Sequence, residues 1–385
     1  MKFFRGLSRN TYLLALTSLL ADVSTEMLYP ILPIFLTTYL GATGSIVGLI
    51  EGVATATQNI QMGLAGYISD RVKKRKSLAV LGYFIAAISK PLIGASQTWP
   101  VALTARFLDR LGTGTRSAPR DALIAASADT RSRGKAFGLE GIGDNLGAFI
   151  GPIVTIILLY LVKVGIRSIF YLALIPGALA LLMIFFVTEK KGDSRHRSKI
   201  EINLSNLPAS YWKYIIVISI FGVGNISSSF MILQTKNIGV PLIGTILIYS
   251  FFNLVASFVS YPSGVLSDKF GRKIVIFCSF IFFMITLLGF ATTKNFFLIA
   301  VLFGFYGVYQ GIFRSVGKAA ASDFVDEKLE ATVIGVFNGV IGITGLIASV
   351  LAGIFYDKIG HQFVFIEALI FVIFGTIAFA LSKNK

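Results

Sequence analysis

Long apolar segments dominate this sequence and constrain its fold more than any other feature. Reading between clusters of charged and turn residues gives twelve runs of about 20 or more mostly apolar residues, the length that a helix needs to cross a bilayer. They lie near 11–38, 46–69, 77–96, 99–127, 135–161, 167–188, 212–235, 240–266, 274–292, 296–321, 331–356 and 362–382. Because lipid offers backbone amides no hydrogen-bond partner, each run is predicted to be a helix. The sequence therefore predicts an all-α membrane protein with twelve transmembrane helices, numbered helix 1 to helix 12 in chain order.

Composition excludes several other classes of protein. Of the 385 residues 55% are hydrophobic and only 14% are charged, whereas soluble domains carry about a quarter charged residues. The net charge of +16 is spread among apolar runs, so no nucleic-acid partner is expected. One Cys and two distant His (His196 and His361) exclude a disulfide framework and a thiolate or histidine metal site. No metal or cofactor is expected.

The distribution of Lys and Arg indicates an orientation. With the N-terminus in the cytoplasm and sides alternating, the inner segments hold 22 basic residues and the outer segments hold five. Cytoplasmic loops are the ones enriched in Lys and Arg. We therefore expect a multi-pass protein of the cell (inner or plasma) membrane with both termini cytoplasmic. Its expected partners are the lipid bilayer and a small molecule, and a bundle of two halves favours a monomer.

An internal repeat divides the chain. The polar connector 189–211 separates six runs in 1–188 from six in 212–385, and residues recur across it at an offset of 198. The matches include Gly41 with Gly239, Asp70 with Asp268, Arg116 with Arg314, and Gly147 with Gly345. These spacings predict two pseudo-symmetric six-helix bundles joined by a cytoplasmic linker. Transporters built from such repeats bind substrate near the bilayer midplane at the repeat interface.

Several motifs resemble the major facilitator superfamily over essentially the whole chain. The loops 66–76 and 264–273 are similar to its G-x-x-x-D-R-x-G-R-R/K motif, although Lys73 replaces a glycine in the first copy. Run 106–114 resembles the R-x-x-Q-G-x-G motif, with Asp109 and Arg110 replacing Gln and Gly. The resemblance implies a cytoplasmic gate that holds the outward-open state. Its members would be Asp70, Arg71, Asp268, Lys269 and Arg272.

Two further motifs resemble the drug–proton antiporter branch of that superfamily. Gly147, Gly151 and Pro152 match a G-x-x-x-G-P antiporter motif in helix 5, and Pro30 and Pro33 match a P-x-x-P element in helix 1. The resemblance implies proton-coupled export. Small residues in helix 5 also suit ordinary close packing of helices, which is the structural alternative.

Charged residues inside the spans are the candidate functional groups, because each costs at least a few kcal/mol in a bilayer. Asp22 and Glu26 share one face of helix 1, and Glu51 reaches a similar level from helix 2. These three carboxylates are the predicted proton-coupling residues. Depth places Arg106 and Arg110 beside the acids of helix 1. The predicted substrate cavity therefore contains a cationic stripe of helix 4 and one base of helix 10: Arg106, Asp109, Arg110 and Arg314.

A second pair of acids has two interpretations. Glu140 and Asp144 lie four residues apart in helix 5, at the depth of Arg110 and Arg116. They suit a cytoplasmic gate that pairs with Arg116 or Arg120, or a transport role in a polar cavity. Alternatively, all these charges form static salt bridges that lock helices 1, 4 and 5 together.

The energy source and the rival functions complete the predictions. The nearest approach to a nucleotide-binding loop, at 311–318, has the wrong spacing and lies in an apolar run, so transport is expected to be secondary. The leading hypothesis is a proton-coupled antiporter that exports a small, partly hydrophobic compound. The second is uptake or exchange of a small organic anion, bound by Arg106, Arg110 and Arg314 and driven by an ion or substrate gradient. An enzyme is not expected, because no nucleophile set or metal-ligand cluster is present.

Overall fold

The computed structural model describes residues 7–72, 74–128, 132–189, 207–325 and 330–382, without the side chains of Asp70, Glu330 and Ala331. Regular structure in these ranges is helical. The helices are α1 Arg9–Glu26, α2 Leu32–Tyr39, α3 Gly44–Val72, α4 Arg75–Ala95, α5 Trp99–Ala126, α6 Arg133–Ile156, α7 Ile166–Leu172, α8 Leu174–Phe185, α9 Ala209–Val223, α10 Ser228–Asn237, α11 Leu242–Phe270, α12 Arg272–Thr292, α13 Phe296–Ser322, α14 Glu330–Lys358 and α15 Phe363–Leu381. A π-helical turn, Ile157–Leu161, extends α6. Most of the predicted linker, 190–206, lies outside the described residues.

Nine helical segments in the described ranges are long and apolar enough to cross a membrane. They are α4, α6 with its π turn, α7–α8, α9–α10, and α11 to α15. Nearly all of them coincide with predicted runs to within a few residues. The all-helical prediction is confirmed by these segments.

Three runs that were predicted as single helices are not continuous. The run 11–38 contains α1 and α2 with residues 27–31 between them, where Pro30 lacks an amide hydrogen and Pro33 opens α2. The run 167–188 breaks at Ala173, because Pro176 has no N–H for the carbonyl of Leu172. The run 212–235 breaks between α9 and α10 at 224–227. The predictions missed these breaks because they were read from hydropathy alone.

The helix bounds repeat along the chain as the residues do. Shifting both bounds of α3 by 198 residues gives the bounds of α11. The same shift brings α4 onto α12 and α5 onto α13 to within two residues. The offset found in isolated residues is therefore also an offset between whole helices.

The described residues form two compact units. The first contains the described parts of 1–28 and 57–205, where α1 packs on α6 and α8, and α4 packs on α5 and α8. The second contains 29–56 and the described parts of 206–385, where α13 packs on α11 and α12, and α15 packs on α9 and α12. The long helix α3 contributes residues 44–56 to the second unit and 57–72 to the first.

Charged side chains fasten the ends of several helices. Lys76 Nζ donates to the carbonyl of Phe185 at the end of α8 (2.8 Å), and Glu189 accepts from the amide of Arg75 at the start of α4 (2.8 Å). In the second unit Lys273 Nζ donates to the carbonyls of Ala380 (2.9 Å) and Ser382 at the end of α15. These bonds satisfy carbonyls and amides that helix ends leave without partners.

Candidate functional site

A buried group of charges lies between α4 and α5, which we call the Asp109 cluster: Lys90, Arg106, Asp109 and Arg110. Asp109 accepts hydrogen bonds from Arg110 Nη2 at 2.6 Å and from Arg106 Nη1 at 3.1 Å. Its other carboxylate oxygen accepts from Lys90 Nζ at 3.3 Å. All four residues are 1–3% exposed. Three cations therefore converge on one carboxylate in the buried interior of the unit.

Close backbone contact between α4 and α5 holds this cluster together. A Cβ on Gly82 would lie 2.6 Å from the amide nitrogen of Arg116, and one on Gly112 would lie 2.5 Å from that of Ala86. Only glycines permit such an approach, which brings Lys90 of α4 within reach of Asp109 on α5. From α3, Gln58 Oε1 accepts from Arg110 Nη1 at 3.0 Å.

Lys90 is the member of the cluster that the sequence analysis did not identify. It is the one charged residue in the central part of the apolar run 77–96, a signal that marks an ionisable group inside a span. This single signal is weaker than the stripe of charged residues along α5. Lys90 also donates to the carbonyl of Ala86 at 3.1 Å.

Arg116 lies further along α5 and pairs with α1. Its Nη2 atom lies 3.6 Å from Oδ1 of Asp22, and its guanidinium lies 4.5 Å from the ring centroid of Tyr83. The side chain of Arg116 is 6% exposed and that of Asp22 is 26% exposed. Depth had placed Asp22 beside Arg106 and Arg110, whereas its ion pair is with Arg116. Depth counting assumes untilted helices, and a tilt shifts the level of a residue by several ångströms.

The third charged group, the Arg120 cluster, consists of Arg120, Asp121, Glu140, Asp144 and Ser18. Arg120 Nη2 lies 2.8 Å from Glu140 and 3.0 Å from Asp121, and Nη1 lies 3.6 Å from Asp144. The hydroxyl of Ser18 accepts from Arg120 at 2.8 Å and donates to Glu140 at 3.1 Å. Of the two bases proposed as partners for Glu140 and Asp144, the one within ion-pair distance is Arg120.

The antiporter-like motif of α6 packs against the candidate proton-coupling face of α1. A Cβ on Gly147 would lie 2.8 Å from the Cβ of Asp22, and one on Gly151 would lie 2.8 Å from the Cβ of Glu26. Pro152 is buried in the same helix. The structure thus brings together two sets of residues that the sequence analysis had kept apart.

The remaining predicted residues lie elsewhere. Glu51 is 4% exposed and belongs to the part of α3 in the second unit, whereas Glu26 belongs to the first unit. Arg314 is exposed on α13, in the second unit, and is not a member of the Asp109 cluster. The structure therefore brings together three of the four residues predicted for a substrate cavity.

The predicted gate residues lie at the ends of α3 and α11. Arg272 Nη1 lies 3.2 Å from Asp268, and Arg272 Nε donates to Asp323 at 2.5 Å. Lys269 Nζ lies 5.3 Å from the ring centroid of Phe270. Arg71 is exposed, and the side chain of Asp70 lies outside the described residues. Asp323 was not predicted as a partner here, because it is 51 residues from Arg272 in the chain.

One carboxyl group stands apart from these clusters. Glu367 of α15 is 5% exposed, and neither of its oxygens has a hydrogen-bond partner among the described residues. No group of three or more His, Cys, Asp or Glu side chains with the geometry of a metal site occurs in the described part of the chain.

Comparisons with known proteins agree with this architecture. A family model described as Major Facilitator Superfamily matches residues 14–235 and 214–384. An uncharacterized MFS-type transporter of Methanocaldococcus jannaschii is 36% identical over 375 residues, 96% of this chain and 94% of that protein. Among solved structures, a variant of the nucleoside transporter NupG gives a TM-score of 0.81 at 14% identity and covers 98% of this chain and 100% of its own.

Two relatives of named activity are more distant. A probable 4-methylmuconolactone transporter of Cupriavidus pinatubonensis is 28% identical over 258 residues, 64% of this chain and 60% of that protein. The quinolone resistance protein NorA of Staphylococcus aureus is 24% identical over 212 residues, 54% of this chain and 53% of that protein. The alignments cover part of each chain.

Proposed function

Because the chain belongs to the major facilitator superfamily, we propose that it is a proton-coupled antiporter that exports a small, partly hydrophobic compound. The similarity to a quinolone resistance protein supports export. The motifs at 30–33 and 147–152 support the drug–proton antiporter branch. Transport by such a protein needs no nucleotide and is driven by the proton gradient.

The proposal includes twelve spans. Nine described segments have the length and apolarity of spans, and we add α1–α2, α3 and α5, which coincide with the other three predicted runs. The domain boundaries that go with this are 1–188, 189–211 and 212–385. Both termini are then cytoplasmic in the cell membrane, as the distribution of basic residues favours.

The pairing of Asp22 with Arg116 is the observation that carries the proposal. The separation of 3.6 Å is long for a hydrogen-bonded ion pair, and the Asp22 side chain is 26% exposed. A proton on Asp22 would remove the charge that holds Arg116, so proton binding and the ion pair exclude each other. Coupling requires such competition. Glu26, one turn further along α1, is proposed as the second proton site and Glu51 as a third.

The packing of α6 on α1 would transmit a change at Asp22. Gly147 and Gly151 contact α1 beside Asp22 and Glu26. Because the contact is close, a movement of these two side chains would displace α6. At the other end of α6, Glu140 and Asp144 hold Arg120. We propose that the Arg120 cluster and the pairs around Arg272 act as the cytoplasmic gate.

The experiment is a proton-gradient assay in everted membrane vesicles, with a panel of amphiphilic compounds that includes a quinolone. Addition of a substrate is expected to dissipate the gradient with the wild-type protein. Asp22→Asn should abolish this signal and Glu26→Gln should weaken it. Glu189→Gln is the control, because this exposed carboxylate lies outside the charged clusters and the variant should retain coupling. Unchanged coupling in both Asp22→Asn and Glu26→Gln would contradict the assignment.

A specific observation favours the second candidate, uptake or exchange of a small organic anion. The Asp109 cluster places three cationic side chains around one carboxylate inside a span, and cations are the groups that would bind an anionic substrate. Similarity to a probable 4-methylmuconolactone transporter is also compatible with uptake. Under this alternative, Arg106→Ala or Arg110→Ala would abolish uptake of the anion, and Asp22→Asn would leave it intact.

A further inference from the structure

An isolated carboxyl group lies on α15 in the second unit. Glu367 is the one charged residue of this helix, and the other residues are apolar apart from Thr376. Glu367 is 5% exposed, and neither of its oxygens has a hydrogen-bond partner among the described residues. Buried side-chain oxygens nearly always have such a partner, so this carboxyl group needs an explanation.

Among the described residues, the helices packed on α15 form no ion pair with Glu367. These helices are α9, α12 and α14, and their charged residues lie within five residues of a helix end: Lys213, Arg272, Lys273, Glu330, Asp357 and Lys358. Lys273 binds the carbonyl of Ala380 at the far end of α15, about 20 Å along the helix from Glu367. Lys358 is exposed.

The other polar groups at the near end of α15 have partners of their own. Asp357 accepts from the amides of Gly44 at 2.7 Å and Ser45 at 2.8 Å. His361, just before α15, is bonded through Nδ1 to Gln234 at 2.7 Å. The uncharged titratable side chains of the packed helices are bonded to other residues or exposed: Tyr211, Tyr214, Tyr356 and Cys278.

A neutral carboxylic acid fits these surroundings better than a carboxylate does. Removing an ionised carboxylate from water is very unfavourable unless a cation or several hydrogen bonds stabilise it. The described residues offer Glu367 neither. A proton on the carboxyl group removes the charge and most of this cost.

Glu367 also lies at the edge of an exposed apolar face of α15. Phe363 lies one turn before it, and Ile370 and Phe374 lie one and two turns after it. These three side chains are 45%, 49% and 62% exposed. Because exposed apolar side chains of a membrane span contact hydrocarbon, a reagent dissolved in the bilayer can approach Glu367 along this face. A charged reagent dissolved in water has no such route.

We propose that Glu367 is a proton-binding site that holds its carboxyl group as the neutral acid, and that this acid is a modification site for lipophilic carbodiimides. The acid oxygen bonds to the central carbon of the carbodiimide, and the proton moves to one of its two nitrogens. Without water or a nucleophile, the acyl group then shifts from this oxygen to the other nitrogen. The acyl C–O bond breaks, an acyl C–N bond forms, and the oxygen remains on the urea carbon. No atom leaves, so the residue gains the full mass of the reagent.

The test is peptide mapping by mass spectrometry of the full-length protein in phospholipid vesicles. The protein is treated at neutral pH with dicyclohexylcarbodiimide or with a water-soluble, cationic carbodiimide. We expect Glu367 to gain the full mass of dicyclohexylcarbodiimide and to lack the water-soluble adduct. Glu367→Gln should lose this adduct and no other. The internal control is Glu189, an exposed carboxylate that should remain without the lipophilic adduct.

Infrared spectroscopy measures the proton itself and does not depend on access of a reagent. The difference between the wild-type and Glu367→Gln spectra should contain the carbonyl band of an un-ionised carboxyl group at neutral pH. If Glu367→Gln does not fold, Glu367→Met replaces it. A carboxylate band in place of the acid band would overturn the proton site. Absence of an adduct at Glu367, or equal labelling by the water-soluble reagent, would overturn the modification site. Neither measurement involves transport, so either result stands apart from proton coupling at Asp22.

Discussion

Helices α4 and α5 of the first unit match α12 and α13 of the second in length, but the side chains buried inside the two units differ in kind. The first buries an ionic network along α5, with Lys90, Asp109 and Arg116 each at most 5% exposed. The second buries aromatic rings, and the centroids of Phe221 and Phe280 lie only 3.7 Å apart. At the offset of 198, Arg106, Asp109 and Arg110 correspond to Gly304, Gly307 and Val308, and Lys90 corresponds to Leu288.

This difference separates what the fold requires from what function adds. α4 and α12 are both 21 residues long, and α5 and α13 have 28 and 27 residues, although one interior is ionic and the other aromatic. Arg116 and Arg314 occupy equivalent positions, yet the first is buried in an ion pair and the second is exposed. The charges of the first unit are therefore not needed to form helices of this length and spacing. Charged side chains cost free energy inside a membrane, and this cost is the argument that they have a role in transport.

The largest effect is expected at the centre of the ionic interior. Asp109→Asn keeps the shape of the side chain and leaves three buried cations without their shared carboxylate. Removing one partner of a buried ionic group costs about 3–5 kcal/mol. The measurement is the unfolding free energy in mixed micelles. Asp121→Asn is the control and should cost below about 1 kcal/mol, because that carboxylate is half exposed. If both variants lost the same amount of unfolding free energy, the buried carboxylate of Asp109 would contribute no more to stability than the half-exposed carboxylate of Asp121.

An intermediate effect is expected from equivalent glycines of the two units. A Cβ on Gly147 would lie 2.7 Å from the carbonyl oxygen of Leu19, and one on Gly345 would contact only side-chain atoms of Thr55, the nearest being its methyl carbon at 3.1 Å. Gly147→Ala should therefore destabilise the protein by about 1–3 kcal/mol. Gly345→Ala should cost less, because a side chain moves more easily than backbone. Gly141→Ala, with nothing within 4 Å, is the neutral control. Equal behaviour of Gly147→Ala and Gly141→Ala would show that α1 and α6 do not pack closely.

The smallest effect is expected in the aromatic interior. Glu367 has no hydrogen-bond partner for either carboxyl oxygen among the described residues, so Glu367→Gln breaks no ion pair there. The unfolding temperature should stay the same or rise slightly, since a buried group that can carry a charge is removed. Gly375→Gln is the disruptive comparison, because Gly375 touches Phe221 backbone. A large loss in Glu367→Gln would mean that the second unit also depends on an ionic contact.

The sequence was sufficient to predict most of the helices, the offset of 198 between them, and three of the four residues of the Asp109 cluster. Each of these depends on local hydropathy or on spacing along the chain. It did not predict which charges pair. Asp109 with Lys90, and Arg272 with Asp323, are contacts between helices, and their formation depends on the rotation and tilt of each helix. The breaks near Pro30 and Pro176 were readable from proline positions, but long apolar runs concealed them.

The bonds of Lys76 and Lys273 to the last carbonyls of α8 and α15 affect how topology experiments should be interpreted. A basic residue at the membrane edge favours the cytoplasmic side for its loop. Lys76 and Lys273 also cap the C-terminal end of another helix. Neutralising either one therefore changes two things at once: the charge that orients the chain and the fraying of a distant helix end. A reporter fusion that inverts after such a change would record both. Moving the charge to a neighbouring loop position restores the topology signal without the hydrogen bond. Such a variant separates the effect of the charge from the effect of the helix cap.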